Sequence, residues 1–136
     1  MLKKSIPLTG TGDETRDFTY VLDLVQGLIK AAFYEEAIGQ AFNLASGRET
    51  KIKDMIAMVN QSTGNSTPIT KFPPRKWDTK KRLLASIELA GKLIDYEPII
   101  SFEDGLSENF NWFSHNWDVV QQSADFPVGM SSAVRK

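Results

Sequence analysis

Apolar residues in this chain come in short runs cut by glycine, proline and charge, and several runs keep a helical beat. Leu24, Val25, Leu28 and Ile29 share one stripe, which predicts a helix over 22–33 with Gly27 as its weak point. Ile52, Met55, Ile56 and Val59 repeat the pattern. Thr50 is the expected N-cap there, and Gly64 the expected stop. Ile87 to Ile94 predicts a short third helix, closed before Pro98. Phe102, Leu106, Phe110, Phe113 and Trp117 fall within an arc of about 80°, one face of a last helix. Ser101 and Asp104 resemble its capping box. That aromatic stripe is expected to be core, with Trp112 at its margin and His115 on the opposite, solvent side.

Between the helices lie candidate strands. Ile6-Pro7-Leu8 suits an edge strand, where proline is tolerated. Phe18 to Val21, Ala41 to Ala45, Pro68 to Phe72 and Leu83 to Ala85 are the others. Gly10, Gly12, Asp13 and Glu14 read as a tight turn before the first internal strand. The expected fold class is a mixed α/β (α+β) lobe of short strands and three or four helices. Few of its strands have long partners within the chain, so the lobe is expected to pack against something else. Residues 1–118 form that lobe. Residues 119–136 turn polar, with Pro127 and Gly129 breaking any pattern, and are expected to be a loose tail.

Composition narrows the function classes. The 136 residues are 41% hydrophobic and 24% charged, enough for one modest domain. A net charge of -1 supplies no global field for nucleic acid. With no cysteine and one histidine, disulfides, thiolate metal sites and histidine-rich metal sites are excluded. Met-Leu-Lys-Lys is not followed by the apolar run of a signal peptide, and no stretch approaches a membrane span. A cytoplasmic protein with no membrane partner is the expectation.

Two basic sites carry the candidate chemistry. Arg16 follows the glycine turn, where a guanidinium can meet a phosphate or carboxylate through paired hydrogen bonds. It could equally pair with a nearby carboxylate to fix the turn. Asp23 suits the start of the first helix, a structural role. The second site is Pro73-Pro74-Arg75-Lys76-Trp77-Asp78, where the prolines stiffen the approach to Arg75. A solvated basic loop would read the same way. Lys71, Arg75, Lys76, Lys80, Lys81 and Arg82, with Phe72 and Trp77 for stacking, also fit single-stranded nucleic acid. The acidic remainder of the chain cancels that charge, so no nucleic-acid partner is expected.

The stretch G-x-G-D-E-T-R-D-F-T-Y-V-x-D-L resembles the start of the substrate-binding half of the extended short-chain dehydrogenase/reductases, the group of NAD-dependent nucleotide-sugar epimerases and dehydratases. Ala41-Phe42-Asn43-Leu44-Ala45-Ser46-Gly47, Leu93-Ile94-Asp95-Tyr96-Glu97-Pro98 and Ser101-Phe102-Glu103-Asp104-Gly105-Leu106 resemble further family motifs in the same order. Asp95 stands where the family usually has glycine, Phe18 where some members have tyrosine, and Trp77 where many have glycine.

The resemblance implies that Arg16 and Arg75 hold the diphosphate of a nucleotide-sugar and that Asp78 accepts from the ribose hydroxyls. It also implies that the chain begins where the cofactor half has largely ended. The family's catalytic tyrosine and lysine stand four residues apart, yet Tyr20, Tyr34 and Tyr96 are followed at that distance by Leu24, Ile38 and Ile100. Thr15 occupies the third position of the dinucleotide glycine fingerprint. The expectation is a nucleotide-sugar-binding lobe that holds no cofactor and is not catalytic alone. NAD would be carried by a missing Rossmann half or a separate Rossmann subunit. A non-catalytic interaction module derived from such an enzyme is the rival.

Overall fold

A computed structural model describes residues 5–77 and 79–123. Strand β1 (Pro7–Thr9) leads through the glycine turn into β2 (Thr15–Arg16) and helix α1 (Val21–Phe33). Strand β3 (Thr50–Lys51) runs directly into α2 (Ile52–Thr63), and β4 (Thr70–Phe72) follows. Helices α3 (Glu88–Ile94), α4 (Phe102–His115) and α5 (Trp117–Ser123) complete the described chain. The sheets are two separate ribbons: β1 pairs parallel with β4, and β2 antiparallel with β3. The result is the small mixed α/β lobe that the pattern predicts.

The chain ends of the helices follow local chemistry. Ser101 Oγ accepts from Asp104 N at 3.0 Å, which caps α4 as its sequence suggests. Gly64 ends α2 in the left-handed region at φ 60°, where a Cβ would be strained. Thr50 does not cap α2, because it is paired with Arg16 in the ladder and Lys51 takes the cap position without a side-chain bond.

Three predicted strands are absent. Residues 18–20 are irregular, and Val21 already belongs to α1. The Asp17 carboxylate accepts from Ser46 N at 2.9 Å, Gly47 N at 3.1 Å and Ala85 N at 3.4 Å, while the Phe18 ring packs 5.1 Å from Phe102. The path is therefore set by side chains, with no neighbouring strand to pair it. Residues 41–45 are likewise irregular. Tyr96 Oη donates to Ala45 O at 3.0 Å and Asn43 Nδ2 to Ser86 O at 3.2 Å, again side chains in place of a ladder. Residues 83–85 are not a strand either, and the nearby pairing is a single bridge between Thr15 and Arg82.

The core is small. Ala90, Ile94 and Tyr96 are its buried centre, with Phe42, Leu44, Ile87 and Leu93 packed around them. Asp23 does more than charge a helix start. It is buried, and its carboxylate accepts from Ile99 N at 3.2 Å and Ile100 N at 3.1 Å, fastening the loop before α4 to α1. The aromatic stripe of α4 is not fully core: Phe102, Leu106, Phe110 and Trp117 are half-buried and Phe113 is exposed. Together with Val59 and Thr63 of α2, Leu106, Phe110, Phe113 and Trp117 line an apolar cleft of about 210 Å³ instead of filling it. His115 is exposed, as its position on the helix predicts. Residues 119–123 are helical, as part of α5, where the start of a loose tail is expected, and residues 124–136 lie outside the described residues.

Gly27 is where α1 meets the core. A Cβ there would stand 2.7 Å from Leu44 Cδ2 and 2.8 Å from the Tyr96 ring. Tyr96 is buried and hydrogen-bonded, so its ring has little room to yield. Gly27→Val is expected to destabilise the fold by about 3 kcal/mol through overpacking. Urea unfolding monitored by circular dichroism checks this, and an unchanged midpoint would contradict the packing.

Candidate functional site

The turn between β1 and β2 is built by one carboxylate. Glu14 Oε2 accepts from Gly12 N at 2.8 Å, and Oε1 accepts from Thr11 N at 3.3 Å and Thr11 Oγ1 at 3.2 Å. These bonds, with the backbone N–H of Glu14 itself foremost, lower the Glu14 pKa from its ordinary value. Gly12 has φ +86°, which only glycine adopts freely, and Lys53 Cβ and Leu8 Cδ2 close in on it. The turn also meets the first amides of α2: Ile52 N donates to Glu14 O and Lys53 N to Gly12 O, both at 2.9 Å. Asp13 and Lys53 add an ion pair at 2.7 Å, which lowers the carboxyl pKa and raises that of the ammonium.

Arg16 leaves this turn on β2, half-buried, with Nη1 donating to Thr15 O at 2.7 Å. Its neighbour Asp17 is engaged by Ser46, Gly47 and Ala85, so that carboxylate fastens other segments. Arg75 sits on the loop that follows β4 and is exposed. That loop is pinned at both ends to the region around Arg16. On one side β4 lies along β1, and Gly10 N donates to Phe72 O at 3.1 Å. On the other, Thr15 N donates to Lys81 O at 2.9 Å and Leu83 N donates to Thr15 O at 3.2 Å.

The consequence is that Arg16 and Arg75, far apart in sequence, line the same cleft of about 250 Å³. Ile6, Leu8, Glu14, Met55 and Ile56 complete its main walls. Asp78 lies outside the described residues. The sequence signalled the two arginines but not Glu14, Met55 or Ile56. Glu14 lies in the same motif as Arg16, and Ile56 belongs to the helical stripe, so both were visible but assigned to turn and core. Two guanidiniums on an open cleft with an apolar floor can hold a diphosphate through bidentate bonds. The basic loop 71–82 is not a uniform stripe, since Arg82 donates to both Glu49 carboxylate oxygens at 2.8 Å.

The glycine turn does not fit a dinucleotide. Its amides at Thr11 and Gly12 already donate to Glu14, and it opens onto a two-residue strand instead of a helix N-terminus. Among the described residues, no helix is long and apolar enough to cross a membrane.

No protein-family model matches the chain. Known structures do. An epimerase from Methanothermobacter thermautotrophicus is 44% identical with a TM-score of 0.88, over 91% of this chain and 37% of that one. The Bordetella bronchiseptica enzyme WbmF, solved in complex with NAD+ and UDP, is 35% identical with a TM-score of 0.74, over 88% of this chain and 35% of that one. This chain is related to the extended short-chain dehydrogenase/reductases. A curated member, the UDP-glucuronate 4-epimerase of Thermodesulfobacterium geofontis, is 31% identical over 121 residues, 88% of this chain and 36% of that protein. The chain thus spans about a third of the length of the relatives it matches. Its two-ribbon lobe corresponds to one part of the short-chain dehydrogenase/reductase fold.

The Glu49–Arg82 pair is tied to β2, with Thr15 Oγ1 also donating to Glu49 Oε1 at 2.6 Å. The Arg82 hydrogen bonds, followed by that of Thr15, lower the Glu49 pKa from 4.5 to about 2. A folded-state pKa below the unfolded one means the pair's contribution is complete above the unfolded value of 4.5 and fades as pH falls through about 2. A carboxyl NMR titration of Glu49 should show a midpoint near 2, returning towards 4.5 in Arg82→Ala. A wild-type midpoint already at 4.5 would mean the pair does not form in solution.

Proposed function

We propose that this chain is the nucleotide-sugar-binding lobe of an NAD-dependent sugar epimerase or dehydratase and has no catalysis of its own. The observation that carries the reading is the shared cleft of Arg16 and Arg75. A pyrophosphate presents oxygens to two sides, and two planar five-donor heads can meet them in a way that ammonium groups cannot. Relatives support the same chemistry: WbmF is described with UDP, and a Bacillus cereus UDP-glucuronic acid 4-epimerase with UDP-glucuronic acid and NAD.

Asp78, three residues beyond Arg75, is assigned to the ribose diol, which calls for an ionised acceptor. Ile6, Leu8, Met55 and Ile56 supply an apolar wall that excludes water from the phosphate contacts. NAD is assigned to the complete protein, on residues other than these. The sugar's redox chemistry belongs there too, because no tyrosine of this chain has a lysine four residues on.

Calorimetric titration with UDP is the direct test. Arg16→Ala and Arg75→Ala are each expected to weaken binding by about 1.5–3 kcal/mol, the range for hydrogen bonds to charged groups. Wild-type affinity in either variant would remove that arginine from the site. Separately, the purified chain incubated with NAD and UDP-glucuronic acid should give no product, and measurable turnover would overturn the assignment.

A further inference from the structure

Helix α2 walls two clefts. Ile52, Met55 and Ile56, on its first turns, line the cleft that holds Arg16 and Arg75. Val59, Ser62 and Thr63, further along the same helix, line the apolar cleft against α4 and α5. Among the described residues, no charged side chain lines this second cleft of about 210 Å³. Its polar groups belong to Ser62, Thr63 and Asn109, and Thr63 Oγ1 is spent on Val59 O at 2.7 Å. A sugar phosphate finds nothing here to meet its charge. The remaining wall is Leu106, Phe110, Phe113 and Trp117. Phe113 stacks edge-on with Trp112 at 5.2 Å and is still 37% exposed. Aromatic surface in that state lacks the close packing of a protein interior, so the fitting occupant is apolar.

The chain itself carries such an occupant beside the cleft. Helix α5 begins at Trp117, in the cleft wall, and ends at Ser123, about 9 Å further along its axis. The sequence continues Ala124-Asp125-Phe126-Pro127-Val128-Gly129-Met130. Pro127 biases Phe126 towards an extended backbone and, with Gly129, opposes continuation of the helix. In an extended chain the alternating Phe126, Val128 and Met130 share one side, which is then wholly apolar. Residues 124–130 reach up to about 23 Å when extended. A reversal after Ser123 therefore brings Phe126 back to Trp117 and carries Val128 and Met130 on towards Phe110 and Val59. Methionine suits the far end, because its flexible thioether fills irregular gaps and packs well on aromatic rings.

We propose that residues 126–130 lie in the cleft between α2, α4 and α5 as an extended strap, with the Phe126 ring against Trp117 and the Val128 and Met130 side chains between Phe110 and Val59. The strap covers the half-buried aromatic stripe of α4 and ties the chain after α5 to the second half of α2. It stands apart from the nucleotide reading, whose cleft uses the first turns of that helix.

The test is NMR of the full chain with labelled methyl and aromatic groups. Nuclear Overhauser contacts are expected from the Phe126 ring to Trp117 and from the Val128 and Met130 methyls to Val59 and Phe110. Their absence would overturn the proposal. Contacts seen only between labelled and unlabelled molecules in a mixed sample would also overturn it, because they would give the cleft to a second copy. Thermal unfolding supplies a second reading. Phe126→Asp with Val128→Asp, and separately a chain ending at Ser123, should each lower Tm by about 4 °C or more. Both should raise the fluorescence of an added hydrophobic dye, whereas Ser131→Asp should change neither quantity. Unchanged Tm and dye binding in both altered chains would contradict the strap. UDP affinity is expected to be the same with and without residues 124–136, and a loss that follows their removal would contradict the independence of the two clefts.

Discussion

One carboxylate holds the lobe's middle together. Asp17 accepts from Ser46 N and Oγ, from Gly47 N and from Ala85 N, so a single residue joins segments some thirty and seventy positions away. A carboxylate can accept several hydrogen bonds at once, and bonds to an ionised acceptor are stronger than those between neutral groups. Because β2 is only two residues long, it cannot organise its surroundings by ladder bonds alone. Asp17 supplies what the ladder lacks, and Arg16 is held in place as the next residue along the same backbone.

The cleft follows from that arrangement. Thr15 is paired on one side with Lys51 and bonded on the other to Lys81 and Leu83, which fixes the far end of the Arg75 loop. β1 and β4 fix its near end. Neither arginine is placed by a long element. Each is placed by a short strand and by loop bonds that close large sequence separations, and the Pro73-Pro74 pair limits the freedom lost on closing. The arrangement gathers two guanidiniums, the Glu14 carboxylate and an apolar wall around one cleft.

What the sequence revealed depended on how local the determining force was. The Ser101–Asp104 cap and the end of α2 at Gly64 are set within a few residues, and both are visible in the pattern. Arg16 and Arg75 were marked by their motifs, although nothing local states that they share a cleft. The failures share a cause. Residues 18–21 and 41–45 have the composition of strands, but a strand exists only where a neighbour pairs with it. Here Asp17 ties the chain just before 18–21 to Ser46, and among the described residues only Ala45 O of the 41–45 backbone is taken, by Tyr96 Oη. Helix α1 gives the same lesson: its stripe at 24, 25, 28 and 29 correctly predicted helix but is exposed, and the pattern could not say on which side the core lies. Glu14 escaped notice because a turn carboxylate and a cleft carboxylate look identical in sequence.

The central claim is that two guanidiniums act on one ligand. It is tested most directly by arginine side-chain NMR of the labelled chain during titration with UDP. The account predicts that the Nε–H signals of Arg16 and Arg75 shift together and saturate with one common Kd, while that of Arg82, held by Glu49, stays in place. Movement of only one of the two, or of neither, would contradict it.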